Sequence, residues 1–78
     1  MIVTIIGTNA IVNGSQAPKF FYDDMASYAD TVVYNETTGR GTDEPNVSVF
    51  AIHCKDADLD RILTALTANP DTEVLSYE

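Results

Sequence analysis

The chain has 78 residues, of which twelve are acidic and four basic, so its formal net charge is −8 at pH 7. This charge excludes a nucleic-acid binder of the usual kind, because such proteins carry a basic surface toward the phosphates. The apolar residues still recur with helical and strand periods, which excludes a disordered acidic tail. A single small acidic α+β domain is therefore expected over residues 1–78.

The cysteine count and the apolar runs bear on the compartment. Cys54 is the single cysteine, so an internal disulfide is impossible, and a lone thiol favours the reducing cytoplasm. The apolar run from Met1 to Ile6 is too short for a signal peptide and lacks a basic start. No apolar stretch approaches the ~20 residues of a membrane span, so no membrane association is expected.

The first half of the chain predicts a strand, turns and a helix. Ile2–Ile6 is rich in β-branched residues and predicts a central strand. Gly7–Asn9 predicts a turn, after which residues 10–12 could form an extra hairpin strand before the turn Asn13–Gly14. A helix is expected over 18–30, because Pro18 suits a first helical position and apolar residues follow with helical spacing. Those residues are Phe21, Met25, Tyr28 and Ala29.

The second half predicts two further strands, a helix and a last strand. Thr31–Glu36 and Val47–Cys54 have strand composition, and Thr37–Asn46 between them predicts an exposed loop. On the second of these strands, Ser48, Phe50, Ile52 and Cys54 share one face. Asp56 is the expected N-cap of a helix whose apolar residues are Leu59, Ile62, Leu63 and Leu66. Asn69 is expected to end it in a left-handed conformation, before a strand at Glu73–Tyr77.

This order of elements predicts a ferredoxin-like βαββαβ fold, with a four-stranded antiparallel sheet and two helices on one face. The first and third strands are the most apolar, which suits central positions, whereas the second and fourth carry the polar residues typical of edges. The expected core comprises Ile2, Ile6, Phe21, Met25, Phe50, Ile52, Leu59, Ile62, Leu63 and Leu66.

Neither a metal site nor a catalytic site is expected. The triplet Asp56, Asp58, Asp60 resembles the start of a calcium loop, but Arg61 and Thr67 replace the required Gly and Glu. His53 and Cys54 are adjacent on a strand and face opposite ways, so they cannot act together. Gly7–Ser15 lacks the lysine of a phosphate loop, and no cofactor is expected.

The function favoured by charge and size is that of a non-enzymatic inhibitor or adaptor. Its acidic surface would dock on a basic groove of a larger protein, most simply a nucleic-acid-handling complex, as small acidic phage anti-defence proteins do by analogy. Tyr22 and Tyr28 would act as anchors among the acids. The expected partner-binding residues are Tyr22, Asp23, Asp24, Tyr28, Asp30, Glu36, Asp43 and Glu44.

Three other functions remain open. A small ferredoxin-like ligand-binding or regulatory module, possibly a homodimer through its sheet, would show an apolar pocket away from the charges. A small enzyme could use His53 with a tyrosine as acid and base if His53 faces a cavity. The end of the chain, Leu63–Glu78, with its helix, Asn-Pro-Asp turn and acidic-apolar strand, resembles the end of subtilisin-propeptide-type inhibitors. That resemblance implies a ferredoxin-like protease inhibitor, although the long loop near the N-terminus and the Gly-rich hairpin depart from the pattern.

Overall fold

The structure, a computed structural model, describes residues 1–12, 15–21, 30–41 and 46–78, without the side chains of 11–12, 15–16 and 39–41. The strands within these ranges are β1 (Ile2–Val12), β2 (Ser15–Pro18), β3 (Val32–Gly41), β4 (Val47–Cys54) and β5 (Thr72–Tyr77). A 3₁₀ turn, Asp56–Asp58, leads directly into helix α1, Leu59–Ala68.

The strands form one antiparallel sheet with β1 at its centre. One edge of β1 pairs with β4, and β3 pairs with the far side of β4. The other edge of β1 pairs first with β5, at residues 3–7, and then with β2, at residues 9–12. The α+β class with an antiparallel sheet is therefore confirmed. The predicted number of four strands is wrong, because this sheet has five.

The fifth strand exists because β1 is longer than its apolar start indicates. The turn predicted at Gly7–Asn9 is wrong, since β1 continues through it to Val12. The Thr8 amide donates to the Asp71 carbonyl at 3.1 Å, and the Asn9 amide donates to the Asn46 carbonyl at 2.8 Å. Residues 10–12 are extended and belong to a hairpin, as expected, but they continue β1 and do not form a strand of their own; the added strand is β2.

The buried face of β1 is the opposite of the predicted one. Val3 and Ile5 are fully buried, whereas Ile2 is 39% exposed and Ile6 is half-buried, so placing Ile2 and Ile6 in the core was wrong. A continuous apolar run has no alternation from which its inner face could be read. Pairing with β4 decides the face, because it sets Ile5 opposite Phe50.

Strand β4 matches its prediction in length and in buried face, whereas β3 does not match in length. Phe50 and Ile52 are fully buried, and Cys54 is nearly so. The strand predicted at Thr31–Glu36 instead runs from Val32 to Gly41, which shortens the predicted loop Thr37–Asn46. Residues 42–45 of that loop lie outside the described residues.

Helix α1 packs against the sheet as its apolar spacing predicts, but both of its ends differ from expectation. Ile62 and Leu66 are buried. The N-cap position predicted for Asp56 is wrong, because Asp56 is the first residue of the 3₁₀ turn and accepts from the Met1 amine at 3.0 Å. Asp58 precedes α1 and makes no side-chain cap hydrogen bond. The left-handed conformation predicted for Asn69 is also wrong, since its backbone is extended, with φ −93° and ψ 117°.

A second helical segment starts at Lys19, directly after Pro18 ends β2. Phe20 and Phe21 are buried there with ring centroids 4.8 Å apart. The rest of the helix predicted over 18–30, including Met25 of the expected core, lies outside the described residues. In the described ranges, no helix has the length and apolar character needed to cross a membrane.

The buried core joins the sheet to both helical segments. It comprises Val3, Ile5, Phe20, Phe21, Phe50, Ile52, Cys54, Ile62 and Leu66, with Leu59 and Leu63 packed at its margin.

Candidate functional site

The face of the sheet opposite the core brings together side chains from three strands. Pairing sets His53 of β4 opposite Ile2 of β1 and Tyr34 of β3. The next row sets Ala51 opposite Thr4 and Glu36. We call this surface the open face, because it carries half-exposed residues such as Tyr34, which is 54% exposed.

A histidine, a glutamate and a tyrosine meet on the open face. His53 Nε2 lies 3.4 Å from Glu36 Oε1, and the Tyr34 hydroxyl donates to Glu36 Oε2 at 3.4 Å. The rings of Tyr34 and His53 also lie 4.9 Å apart. Glu36 can therefore orient both partners, although all three side chains are accessible to water.

His53 and Cys54 lie on opposite faces of the sheet, as predicted. Cys54 is 4% exposed and points into the core. Burial raises the pKa of the Cys54 thiol, which the nearby Met1 amine partly offsets and the charges of Asp58 and Asp56 reinforce. A neutral, buried thiol is a poor nucleophile, so Cys54 behaves as a core residue.

The groove that the described residues form along α1 does not include His53. A shallow groove of about 400 Å³ lies along α1, lined by Leu63, Thr64, Thr67 and Ala68, and none of these residues is on the open face. His53 is in contact with Glu36 and Tyr34 on the open face. Among the described residues, no group of three or more His, Cys, Asp or Glu side chains could hold a metal ion.

Acidic side chains gather at the end of the sheet where β1 begins and β4 and β5 end. The Met1 amine contacts Asp56 at 3.0 Å, and the Ile2 amide donates to the Glu78 carbonyl at 2.8 Å. Arg61 at the start of α1 contacts Asp30 at 3.4 Å, just before β3. We call this region the acidic end; its carboxylates are Asp30, Asp56, Asp58, Asp60 and Glu78.

Basic side chains within the chain are partly occupied by its own acids. Arg61 is held by Asp30, and Lys19 contacts Asp71 at 3.4 Å. Pairs this exposed add about 0–1 kcal/mol to stability. Their main effect is to reduce positive charge at the surface, which leaves the excess of acids to dominate its potential.

The expected partner-binding residues are described in part. Asp30 and Glu36 are both exposed, with 74% and 46% of their side chains accessible. Asp30 precedes β3 and Glu36 is the fifth residue of that strand. The four steps from Val32 to Glu36 alone span roughly 13 Å of extended chain, so the two carboxylates lie at different points along the strand. The other residues expected in this surface lie outside the described ranges; they are Tyr22, Asp23, Asp24, Tyr28, Asp43 and Glu44.

Of the acidic end, only Asp30 belongs to the partner-binding surface expected from the sequence. Asp56, Asp58 and Asp60 were interpreted as helix-start residues, and Glu78 as an edge residue. Their proximity to Asp30 depends on the pairing of β1 with β4 and β5, which no local pattern encodes. The available signal was the predicted strand order, which already placed the ends of these strands together.

Comparisons with protein-family models, curated proteins and solved structures give no match to this chain. Its function is therefore inferred from its own side chains.

Proposed function

We propose that this chain is a non-enzymatic protein-binding domain, an inhibitor or adaptor that docks an acidic surface on a basic groove of a larger protein. The observation that carries the proposal is the acidic end, where five carboxylates from three separate segments of the chain lie on one side of the domain. Exposed acids steer association with a basic surface.

The rest of the surface belongs to the same proposal. Asp23, Asp24, Asp43 and Glu44 extend the acidic surface, and Tyr22 and Tyr28 provide the apolar anchors from which such interfaces gain affinity. A basic channel that handles nucleic acid in the cytoplasm, such as a host-defence complex, is the partner class that this charge suits best.

We further assign the sheet to a ferredoxin-like arrangement extended by a hairpin. Four strands lie in the order β5-β1-β4-β3, all antiparallel, and the added β2 pairs with the extension of β1. A ligand-binding module of this type would use the open face, where Tyr34, Glu36 and His53 meet. The acidic surface is favoured because the described groove on α1 holds no charged residue that could orient a ligand.

The test is capture of a partner by two variants that have the same net charge. Asp56→Asn with Asp60→Asn removes two charges at the acidic end, whereas Thr67→Lys with Ala68→Lys adds two at the exposed end of α1. The purified partner is titrated with each variant over a series of salt concentrations. We expect weaker binding for the Asn variant and a steep loss with salt for the parent, since exposed charges are screened within ~8 Å at physiological ionic strength.

A second pair of substitutions, Asp23→Lys with Asp24→Lys, tests in the same titration two acids that the sequence predicts in the binding surface. Thermal melting of every variant separates loss of binding from loss of folding. Binding that does not change with salt, and that is equal in all variants, would contradict the proposed function.

A further inference from the structure

Strand β5 forms an edge of the sheet. In the described part of the chain its only strand partner is β1, and α1 packs on one of its faces. Leu75 and Tyr77 are 51% and 54% exposed, although both belong to a strand. An exposed edge strand with apolar side chains is a template for pairing with another chain.

The backbone of β5 presents hydrogen-bonding groups away from β1. Glu78 and Ile2 exchange both of their backbone hydrogen bonds, at 2.8 and 3.0 Å, so the peptide groups of Glu78 face β1. Along an antiparallel strand, the peptide groups of successive residues point alternately toward and away from the neighbouring strand. The N–H and C=O of Tyr77 therefore point away from β1. The same alternation, counted from the bond of Thr8 to the Asp71 carbonyl, directs Val74 outward.

The exposed side chains along β5 are acidic at both ends, with apolar ones between them, which indicates the chemistry of a partner. Glu73 and Glu78 are exposed and flank the apolar Leu75 and Tyr77. Leu75 lies where the register shifts between Val74 and Ser76, so it has no residue directly opposite on β1. Protected edges usually carry lysine, and β5 has none.

The other edge, formed by β3, is a weaker template. Its exposed Tyr34 and Glu36 already contact His53 within the chain. Its register also shifts twice along β4, and such irregularities hinder the addition of a further strand. Strand β5 has one register shift, between Val74 and Ser76, against two in β3, and is therefore the more regular of the two edges.

We infer that β5 is a docking strand for an extended basic segment of another protein. The segment adds to the sheet beside β5, bonds the outward groups of Val74 and Tyr77, and packs apolar side chains on Leu75 and Tyr77. Its lysine or arginine residues lie against Glu73 and Glu78, whose partners Ile6 and Ile2 on β1 are four residues apart, a span of roughly 13 Å along an extended strand. This inference rests on the proposed function, because it names the chemistry and binding mode of the partner.

A second copy of the chain fits β5 less well than a basic segment. Antiparallel pairing of two β5 strands would bring the acids of both copies to one interface, and like charges across a strand pair are destabilising. Charge complementarity therefore selects a basic partner.

The test uses a synthetic peptide of eight residues, in which alternating valine and threonine separate two lysines placed four positions apart, so that both lysines lie on one face of the added strand. A control peptide of the same composition has its lysines adjacent, and another has glutamate in place of lysine. The amide resonances of the ¹⁵N-labelled protein locate the binding site, and fluorescence anisotropy at low salt gives the affinity. We expect the largest shifts in β5, and tighter binding of the spaced lysine peptide than of either control.

Cys54 makes an amide-specific variant accessible, because residues 54–78 can be synthesised and joined to residues 1–53 by ligation at its thiol. N-methylation of Tyr77 removes the outward N–H and keeps the side chain. We expect it to weaken peptide binding about tenfold relative to the unmodified ligated protein, the effect of losing one such hydrogen bond together with close contact. Glu73→Lys with Glu78→Lys should reverse the preference, so that the glutamate peptide binds more tightly.

The outcomes separate the docking strand from the wider function. Binding with shifts at the acidic end, unchanged by N-methylation, would overturn the docking strand and leave the proposed function intact. Absence of peptide binding at low salt would also overturn the docking strand. The titration of the purified partner described above tests the proposed function independently. Shifts in β5 that depend on protein concentration without peptide, with a dimer in sedimentation, would overturn it in favour of a second copy.

Discussion

Gly7 shows how one position determines where two strands can meet. It is buried within β1, and a Cβ atom there would lie 2.9 Å from Thr72 Cγ2 and 3.0 Å from the Asp71 carbonyl oxygen. The start of β5 can therefore approach β1 only because this residue has no side chain. The Thr72 hydroxyl also donates to the Leu66 carbonyl at 3.0 Å, which ties β5 to the end of α1.

Replacing Gly7→Ala is expected to reduce the free energy of unfolding by about 1–3 kcal/mol, the usual effect of overpacking a closed site. Urea titration followed by circular dichroism measures the change. Thr72→Ser removes Cγ2 and keeps the hydroxyl, so the double variant should recover part of the loss. A Gly7→Ala variant as stable as the parent would show that β5 does not contact β1 this closely.

Strand β1 is the element whose orientation most affects the fold. Ile5 is fully buried opposite Phe50, and Ile2 is 39% exposed opposite His53. A shift of one residue in its pairing would exchange these two faces completely. The same isoleucine substitution at the two positions therefore reports the orientation directly.

We expect Ile5→Thr to reduce the free energy of unfolding by about 2 kcal/mol or more, because it buries a hydroxyl and removes apolar contacts. Ile2→Thr, the matched control, should change it by less than about 1 kcal/mol, as at other partly exposed sites. Chemical denaturation of both variants measures the difference. Equal losses at the two positions would contradict the observed face of β1.

Two leucines of helix α1 lie in different environments. Leu66 is 1% exposed and belongs to the core, whereas Leu63 packs at the core margin beside the shallow groove. The apolar spacing predicts both as core residues, and the structure shows that Leu66 is more deeply buried than Leu63.

Leu66→Ala is expected to cost ~2–5 kcal/mol, which approaches the full stability of a domain of this size. Leu63→Ala should cost less, because the partly exposed side chain leaves a smaller cavity. Thermal melting of both variants tests the ranking. A greater loss for Leu63→Ala would indicate that α1 is rotated from the observed orientation.

Charge acts on the whole domain, since the acids at the acidic end come from three separate parts of the chain. Their mutual repulsion destabilises the compact state, and the ion pairs of Arg61 and Lys19 offset little of it. The acidic surface thus combines a cost to stability with the capacity to attract a basic partner.

Added sodium chloride is therefore expected to raise the melting temperature of the free protein over the range from low to physiological salt. Screening weakens repulsion between exposed acids within a Debye length of ~8 Å. The Asp56→Asn, Asp60→Asn variant should show a smaller salt effect than the parent when both are followed by calorimetry. A melting temperature that falls with salt would show that attractive pairs dominate instead.

The elements that could be predicted from local pattern are those with a clear period. The alternation in Val47–Cys54 identifies the buried face of β4, and the spacing from Leu59 to Leu66 identifies the inner face of α1. Local rules also placed His53 and Cys54 on opposite faces. Of the proposed binding surface, Asp30 and Glu36 could be recognised as polar and are exposed, while its other members lie outside the described residues.

Features that depend on contacts between distant residues could not be read from local pattern. Ile2–Ile6 has no alternation, so its inner face was settled by pairing with β4, and a glycine that resembles a turn residue proved to be the site of close approach to β5. The acidic end is likewise assembled from residues up to 48 positions apart, Asp30 and Glu78. Period and propensity act over a few neighbouring residues, whereas register and the meeting of chain segments are set by which pairing buries the most apolar surface.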